Sequence, residues 1–499
     1  MRFPVLAATA LPALLLASAG PAMAQVSAAE VWQSWKDSLS AGGEIAIGSE
    51  TADGGTLTVT DVTLTSSDSG GTFEALIPVL TFTDTGEGSV SVTMAEEVPI
   101  TLTFPAEGDS GPASFAATIR QTGLEMLVSG TAGAMTHDIA ATRLAFEIDE
   151  ATDASATLSG SVAFNDVSGS YAVTTGEMQV IEQALLAGLV EVAFSAEDPE
   201  AGVSMSLSGT VDGIESSGSA VLPLPESFNP ETALRDGMAG EGGYVYGPTA
   251  VSFEILEGGV PVSGTLAAEG GALDLAASAE SLIYSSQTIG LSVGATSAEA
   301  PFPFELSLAQ SGIDLVIPLA ATEDPADFAF GVNLTDLAVN DEIWAMLDPG
   351  ALIPRDPATF VLDLTGTLRL FVDLADPDQV AAMAEAGPPG EIHSLSLNDL
   401  TLAVAGARVT GTGGFTFDNS DTTTIPGFPR PEGKIDLTAS GVNGLIDTLS
   451  TMGLLPTDQV MGARMMLGLF TVPVGDDELT STIEVNAEGH ILANGQRLQ

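Results

Sequence analysis

The chain has 499 residues, of which 12 are Lys or Arg and 67 are Asp or Glu, so its formal net charge is −55 at pH 7. Negative charge in such excess repels phosphate groups, which excludes nucleic acid as a partner and disfavours anionic membrane surfaces. The sequence contains no cysteine, which excludes disulfides, thiol nucleophiles and thiolate metal sites.

The first 24 residues have the pattern of a signal peptide. Arg2 is a short basic region, Val5 to Ala19 is an apolar stretch, and Ala22-Met23-Ala24 is a small-residue cleavage site. The apolar stretch is too short to remain as a membrane anchor. We therefore expect residues 1–24 to be removed and the mature protein to lie in the periplasm or to be secreted. We expect no transmembrane segment after cleavage.

A short helix is predicted directly after the cleavage site, because Val31, Trp32, Trp35 and Leu39 recur at helical spacing before Gly42-Gly43. The tryptophan pair is expected to pack this helix on a sheet, and contact with a membrane interface is the alternative.

From Glu44 to Leu224 apolar residues alternate with polar ones in short runs, and glycine-rich turns separate the runs. The clearest runs are Ile45 and Ile47; Leu57 and Val59, then Val62 and Leu64 after a change of phase; Val90, Val92 and Met94; Ile100, Leu102 and Phe104; and Val203, Met205 and Leu207. This spacing is typical of antiparallel sheet. One helix is predicted within the series, over Met178–Leu189.

A domain boundary is predicted near residue 240, where Pro223, Pro225 and Pro230 precede a weak helical pattern over Glu231–Ala239 and a glycine-rich segment. The sequence thus divides into an N-terminal β-rich domain, residues 25–240, and a C-terminal β-rich domain, residues 241–499.

The C-terminal domain begins with further strands and then adds helices. We predict short helices over Ile343–Leu347 and Asp376–Ala386, and between them a long strand over Phe360–Leu374 that bends at Gly366. The phase of alternation changes at Asn398-Asp399, which indicates a β-bulge.

A helix pair is predicted within residues 441–470, followed by a final hairpin. The second helix, Asp458–Phe470, is apolar nearly all the way round, which predicts a buried core helix. The alternative is a flexible, methionine-rich wall of an apolar groove. The predicted fold class is therefore mainly β: elongated, curled antiparallel sheets with a few short helices packed on one face.

No constellation of residues for catalysis is found. His137, His393 and His490 are too far apart for a local metal motif. Gly290 to Gly294 matches the nucleophile-elbow pattern around Ser292, but that elbow needs a helix after it, and the following residues are not helical. We therefore predict a protein that is not an enzyme, with no catalytic residue, cofactor or metal ligand.

Several segments resemble an exported bacterial family known only as domain of unknown function 2125. They are Ala29–Trp32, Gly88–Thr93, Met135–Asp138, Trp344–Pro357 and Asn494-Gly495. The family implies no established activity. More distantly, the strand series is similar to AsmA-like envelope proteins, which implies an apolar β-groove that handles lipid.

These observations favour a non-enzymatic envelope protein that binds lipid or another apolar ligand in a sheet-lined groove. The alternatives are a structural or interaction module of the cell envelope or surface, and a serine hydrolase that uses Ser292. The expected partners are a lipid or an envelope protein, and the sequence leaves the oligomeric state open.

Overall fold

The structure is a computed structural model that describes residues 25–68, 70–104, 113–151, 157–224, 228–386 and 388–498. The predicted signal peptide, residues 1–24, lies outside these ranges. Strands account for 65% and helices for 11% of the chain. This confirms the prediction of a mainly β fold built from antiparallel sheet with a few short helices.

The described strands form one hydrogen-bonded sheet. Its first part consists of β1 Glu44–Asp53, β2 Thr56–Asp68, β3 Gly71–Asp84, β4 Val90–Met94, β5 Glu97–Phe104, β6 Ala113–Thr122, β7 Glu125–Thr131, β8 Ala134–Ala151, β9 Thr157–Thr175, β10 Gln179–Asp198 and β11 Val203–Leu222. Its middle part consists of β12 Ala239–Tyr246, β13 Thr249–Glu257, β14 Val260–Ala268, β15 Gly270–Ala277, β16 Ser281–Ser297, β17 Phe304–Pro318 and β18 Ala326–Val339. Its last part consists of β19 Ala358–Leu370, β20 Gly390–Val404, β21 Ala407–Asp418, β22 Arg430–Ser440, β23 Val472–Gly475, β24 Glu478–Val485, β25 Ile491–Ala493 and β26 Gln496–Arg497.

The described helices agree with most of the predicted ones. They are α1 Ala28–Gly42, α2 Asp341–Leu347, α3 Pro377–Ala386, α4 Val442–Thr451 and α5 Thr457–Phe470. The bulge predicted at Asn398 and Asp399 is also confirmed, since the ladder between β20 and β21 changes register between Leu397 and Leu400.

Three local predictions are wrong. Residues 178–189 are not a helix but lie almost entirely in β10, which is paired along most of its length with β9 on one side and β11 on the other. These ladders override a weak helical spacing. The segment Glu231–Ala239 forms turns rather than a helix. The strand predicted over Phe360–Leu374 ends at Leu370, where the chain begins to turn towards α3.

The helix α5 is exposed, which contradicts the prediction of a buried core helix. None of its residues is buried. Its C-terminal end is fixed at the sheet edge, where the Phe470 carbonyl accepts hydrogen bonds from Ser481 Oγ (2.6 Å) and Asn494 Nδ2 (2.9 Å). The helix is therefore attached to the sheet at its C-terminal end, and its apolar side chains remain exposed.

The described strands pair with their neighbours in chain order, except at two forks and at β23, because β22 pairs directly with β24 and β23 pairs with β24 as well. The strand β3 pairs with β5 through residues 72–75 and with β4 through residues 80–84, and the half-strands β6 and β7 both rejoin at β8. The second fork opens from β11 to β12 and β13, and closes where β14 and β15 meet β16. At each fork, two short strands lie end to end and together pair along the length of one long strand.

A line of backbone irregularities crosses the sheet at right angles to its strands. Five residues within long strands have left-handed φ values: Asp61 (53°), Asp166 (51°), Gly213 (74°), Gly290 (64°) and Asp336 (56°). The pairing register places them in line. Asp61 lies opposite Gly48, Asp166 opposite Gly188, and Gly188 opposite Gly213. Gly290 and Asp336 lie opposite the same residue of β17, Ala309. We call this line the crease.

The phase of side-chain alternation changes at the crease. In β10, Val190 and Val192 lie on one side of Gly188, while Ala187 and Leu185 lie on the other side and point to the same face. Two consecutive residues between them point to the opposite face. The crease therefore brings apolar side chains from both of its sides to one face, as Val59 and Val62 show by sharing one buried core on either side of Asp61.

The sheet is continuous across the predicted domain boundary. The strand β11 of the predicted N-terminal domain pairs with β12 and β13. Residues 214–221 of β11 pair with β12, and residues 204–211 pair with β13. The division at residue 240 stays a prediction.

We expect the crease to depend on residues that tolerate a left-handed backbone. Substitution Asp166→Val should lower the free energy of unfolding by about 1–2 kcal/mol, because a β-branched residue is strained at φ 51°. Asp166→Gly should change it by less than about 0.5 kcal/mol, since glycine adopts this conformation freely. Urea unfolding of the two variants checks this, and equal effects would contradict the role assigned to the crease.

Candidate functional site: an apolar trough

One face of the sheet is apolar on both sides of the crease. Residues that pair across an antiparallel ladder point to the same face. On one side of the crease, Leu144, Phe164, Val190 and Val211 form a row across β8 to β11. On the other side, Met135, Val173, Ile181 and Ala220 form a row across the same strands.

We call the strip that contains Val190 the first wall and the strip that contains Ile181 the second wall. The first wall includes Phe146, Val162, Phe164, Val192, Phe194, Met205, Leu207, Val251, Phe253, Leu266, Val293, Phe304 and Leu306. The second wall includes Tyr171, Val173, Leu185, Tyr244, Leu273, Leu275, Tyr284, Ile313, Leu315, Phe330, Val332 and Leu334. The space between the two walls is the apolar trough.

Burial varies along the apolar face. Some side chains beside the crease are buried: Ala187 is 6% exposed, Val190 is 4% exposed and Leu308 is 6% exposed. Others in both walls are exposed, such as Phe164 at 38%, Leu185 at 39% and Ile313 at 45%. The apolar face therefore has buried positions along the crease and exposed positions in both walls.

The opposite face of the sheet carries most of the charged and hydroxyl side chains, together with isolated exposed apolar ones such as Leu186 and Val245. Arg143 Nη1 bridges to Glu191 Oε2 at 2.6 Å, and Asn165 Nδ2 donates to the same carboxylate oxygen at 2.9 Å. Hydroxyl pairs follow the same face, for example Ser208 with Ser252 at 3.0 Å. Two open clefts of about 620 and 550 Å³ also lie on this polar side, along β11, β13, β14 and β16. Serine, threonine and glycine line much of both clefts, and the lining also includes first-wall residues, such as Phe253 and Phe304 in one cleft and Val251 and Leu266 in the other.

The helix α1 occupies the trough at its first strands. A capping box between Ser27 and Glu30 fixes its start. Trp32 is 2% exposed and packs with Val59, Val62 and Phe82. Because Val59 and Val62 lie on opposite sides of Asp61, the core beneath α1 includes residues from both walls.

Polar contacts hold α1 in this position. Trp32 Nε1 donates to Glu50 Oε1 at 2.7 Å, and this hydrogen bond lowers the pKa of the Glu50 carboxyl. Lys36 Nζ lies 3.3 Å from the same oxygen. The Ala28 N–H donates to Asp84 Oδ1 at 2.8 Å.

The three histidines that the sequence singled out lie in different places. His137 is 6% exposed and lies on the trough face of β8, below α1. Its Nε2 accepts a hydrogen bond from Trp35 Nε1 (3.4 Å), and its Nδ1 lies 3.3 Å from the Tyr171 carbonyl. His393 Nε2 contacts Glu391 Oε1 at 3.1 Å. His490 lies in the turn before β25.

The serine of the elbow-like motif lies within a strand. Ser292 is exposed on β16, pairs with Ala267 and Ser307, and points to the polar face. The strand continues to Ser297, so no helix follows this serine. Among the described residues, no group of three or more His, Asp or Glu side chains is placed to hold a metal ion.

The trough itself was not predicted from the sequence in detail. Its signal was present as the change of phase between Val59 and Val62, which marks Asp61. Phase changes at Asp or Gly recur in β9, β10, β11, β16 and β18, but only the strand register shows that they form one line.

Comparisons with known proteins give a family match for the C-terminal half of the chain. Residues 253–488 match the family described as uncharacterized protein conserved in bacteria (DUF2125). The resemblance to this uncharacterised family is therefore confirmed over those residues, whereas the likeness to AsmA-like proteins is not.

Other comparisons add little. No curated protein matches the chain. The ferric citrate transporter FecA, whose structure is of the unliganded form, aligns over 90% of this chain and 75% of its own, with 7% sequence identity and a TM-score of 0.16. Among the helices of the described residues, none has the length and hydropathy of a membrane span.

Protonation of His137 should destabilise the protein. Burial lowers the pKa of His137 below its ordinary value of 6.5, so below that pH the unfolded chain binds a proton that the folded chain does not. The stability that neutral His137 supplies is present above pH 6.5 and is lost as the pH falls towards the lowered pKa. Urea unfolding between pH 7.5 and pH 5.5 checks this.

The matched variant is His137→Phe, which keeps an aromatic ring in the same place and cannot titrate. We expect its unfolding free energy to fall less over this pH interval than that of the unmodified protein. An identical pH dependence for the two proteins would contradict the assignment to His137, because other titrating groups are common to both.

Proposed function

We propose that the protein binds lipid acyl chains, or a similarly long apolar ligand, in the apolar trough, as a non-enzymatic protein of the cell envelope. The observation that carries this proposal is the exposure of the two walls. From β9 to β18 apolar side chains remain open to solvent although they lie side by side: Phe164, Leu185, Met205, Tyr244, Leu266, Leu275, Phe304, Ile313, Phe330 and Leu334.

Exposed apolar surface of this kind needs an occupant. Apolar surface is stabilised by removal from water, at roughly 25 cal/mol per Å², and soluble proteins rarely expose large continuous apolar patches without a binding function. The polar face opposite is well supplied with hydroxyl and charged groups, so the apolar face does not result from a general lack of polar residues.

The dimensions of the trough suit an acyl chain. The second wall passes through eight successive strands from β9 to β18, by way of β10, β11, β12, β15, β16 and β17. At a strand spacing of about 4.8 Å, these strands extend for about 34 Å. One leaflet of a bilayer has a hydrocarbon depth of about 15 Å. The trough is long enough for two such chains placed end to end.

A second candidate is an interaction module that takes an amphipathic helix from a partner protein. The position of α1 favours it, since α1 shows that the trough accommodates a helix through Trp32 and Trp35. Helix-in-groove recognition uses apolar anchors of this kind.

Purification of the native protein without detergent, followed by solvent extraction and mass spectrometry, tests the lipid proposal. We expect lipid bound in at least about stoichiometric amount. A protein free of lipid that also fails to bind an added fatty acid would overturn the proposal. Recovery of a stoichiometric protein partner in place of lipid would favour the second candidate.

Two neighbouring leucines provide a matched test of the site. Leu185 is 39% exposed on the second wall, and Leu186 is 42% exposed on the polar face of the same strand. Leu185→Glu should weaken binding of a dye-labelled fatty acid about tenfold or more, because a carboxylate in an apolar site loses its hydration. Leu186→Glu should leave affinity within about twofold.

Fluorescence titration of the two variants gives these affinities, and circular dichroism with thermal unfolding establishes that both are folded. Equal losses of affinity would place the ligand outside the trough. Unchanged affinity for Leu185→Glu would do the same.

A further inference from the structure

The first wall stops at β18, whereas the second wall continues. Each of the strands β19 to β24 has one of its ends on the line of the crease. The pairs at these ends include Thr359 with Ala403, Arg408 with Ser440, and Ser440 with Glu478. Beyond that line the chain forms the segment 341–357, the turn at 405–406, and the helix pair α4 and α5. At this end the second wall therefore lies beside these segments and has no first wall opposite it.

These segments lie against one another. The segment 341–357 reaches the turn at 405–406, since a Cβ placed on Gly406 would lie 2.8 Å from Pro354 Cγ. The residue before α4 reaches the same turn, since a Cβ on Gly441 would lie 2.2 Å from the Gly406 carbonyl oxygen. Asp477 caps α4 through the N–H groups of Asn443 (3.0 Å) and Gly444 (2.9 Å). The helix pair is thus fixed at the end of the trough where the first wall stops.

The free face of α5 is the most exposed apolar surface among the described helices. Met461 is 71% exposed and Met465 is 70% exposed, one helical turn apart, and Met466 and Leu469 are each 50% exposed. The neighbouring loop and strand add Leu454 at 63% and Val474 at 58%. The C-terminal end of α5 is held by Ser481 and Asn494, and these apolar side chains remain open to solvent.

The charges near this face indicate which partner fits it. Arg464, the basic residue of α5, is hydrogen-bonded to Asp447 of α4 and so is already neutralised. The chain as a whole carries a net charge of −55. This charge opposes both an anionic bilayer and a second copy of the same protein. A neutral, zwitterionic lipid surface is free of that repulsion, and flexible methionine and leucine side chains suit an irregular lipid interface.

We infer that the exposed face of α5 docks the protein on a neutral, zwitterionic lipid bilayer, at the end of the trough where the first wall stops. The role of this docking in loading an acyl chain rests on the proposed function, whereas the docking itself does not. Under the proposed function, lipid is then loaded from the membrane at this end of the trough.

Co-sedimentation of the mature chain with vesicles of pure phosphatidylcholine tests the inference. The double variant Met461→Glu, Met465→Glu should lower the bound fraction about tenfold, because two carboxylates would have to enter the interface. The control is Val245→Glu, Val380→Glu, which adds the same charge at two exposed apolar positions outside the helix pair, on β12 and α3. It should bind as the unmodified protein does. Phosphatidylserine in the vesicles should weaken binding of all three.

Three results would overturn the docking inference: no binding of the unmodified protein, equal binding of the α5 variant, or a dimer in light scattering that the α5 variant dissociates. The trough is assessed separately. The α5 variant should still bind a fatty acid added in solution, and Leu185→Glu should still bind vesicles. If the unmodified protein binds vesicles but binds no fatty acid, the proposed function and the loading role are wrong. The docking inference is then still supported.

Discussion

The left-handed backbone at Asp61, Asp166, Gly213, Gly290 and Asp336 is the constraint on which the structure depends. Such a backbone costs about 1–2 kcal/mol at most residues, and Asp and Gly are among those that adopt it most readily. Since the register places these residues in one line, every long strand changes its phase of alternation at the same point. Two apolar strips that regular alternation would place on opposite faces then lie on the same face.

The crease determines which side chains share a face. Some of those beside it are buried, as Val190 and Leu308 show, and others in both walls are exposed. The larger buried core forms where α1 covers the trough, around Trp32 and Phe82, and a smaller one forms around Ile100. The protein thus has a helix in its trough at one end, open walls in the middle, and an exposed helix pair at the other end. This gradation is what the proposals of a bound apolar ligand and of a docking face rest upon.

The sequence predicted the local elements well, because alternation and helical spacing are local properties. It identified all five described helices and the bulge at Asn398. It failed at residues 178–189, where two neighbouring ladders impose a strand, and at α5, whose all-round apolar character gave no information about its place at the sheet edge. The crease could not be predicted, because it depends on which residue lies opposite which across the ladder.

The central claim is that the two walls enclose space for an apolar ligand and do not pack against each other. An experimental structure of the protein purified without detergent tests it most directly. The account predicts elongated density between the walls beyond α1, in contact with Phe164 and Leu185. Walls closed on one another, with those side chains in mutual contact and no space between them, would contradict it.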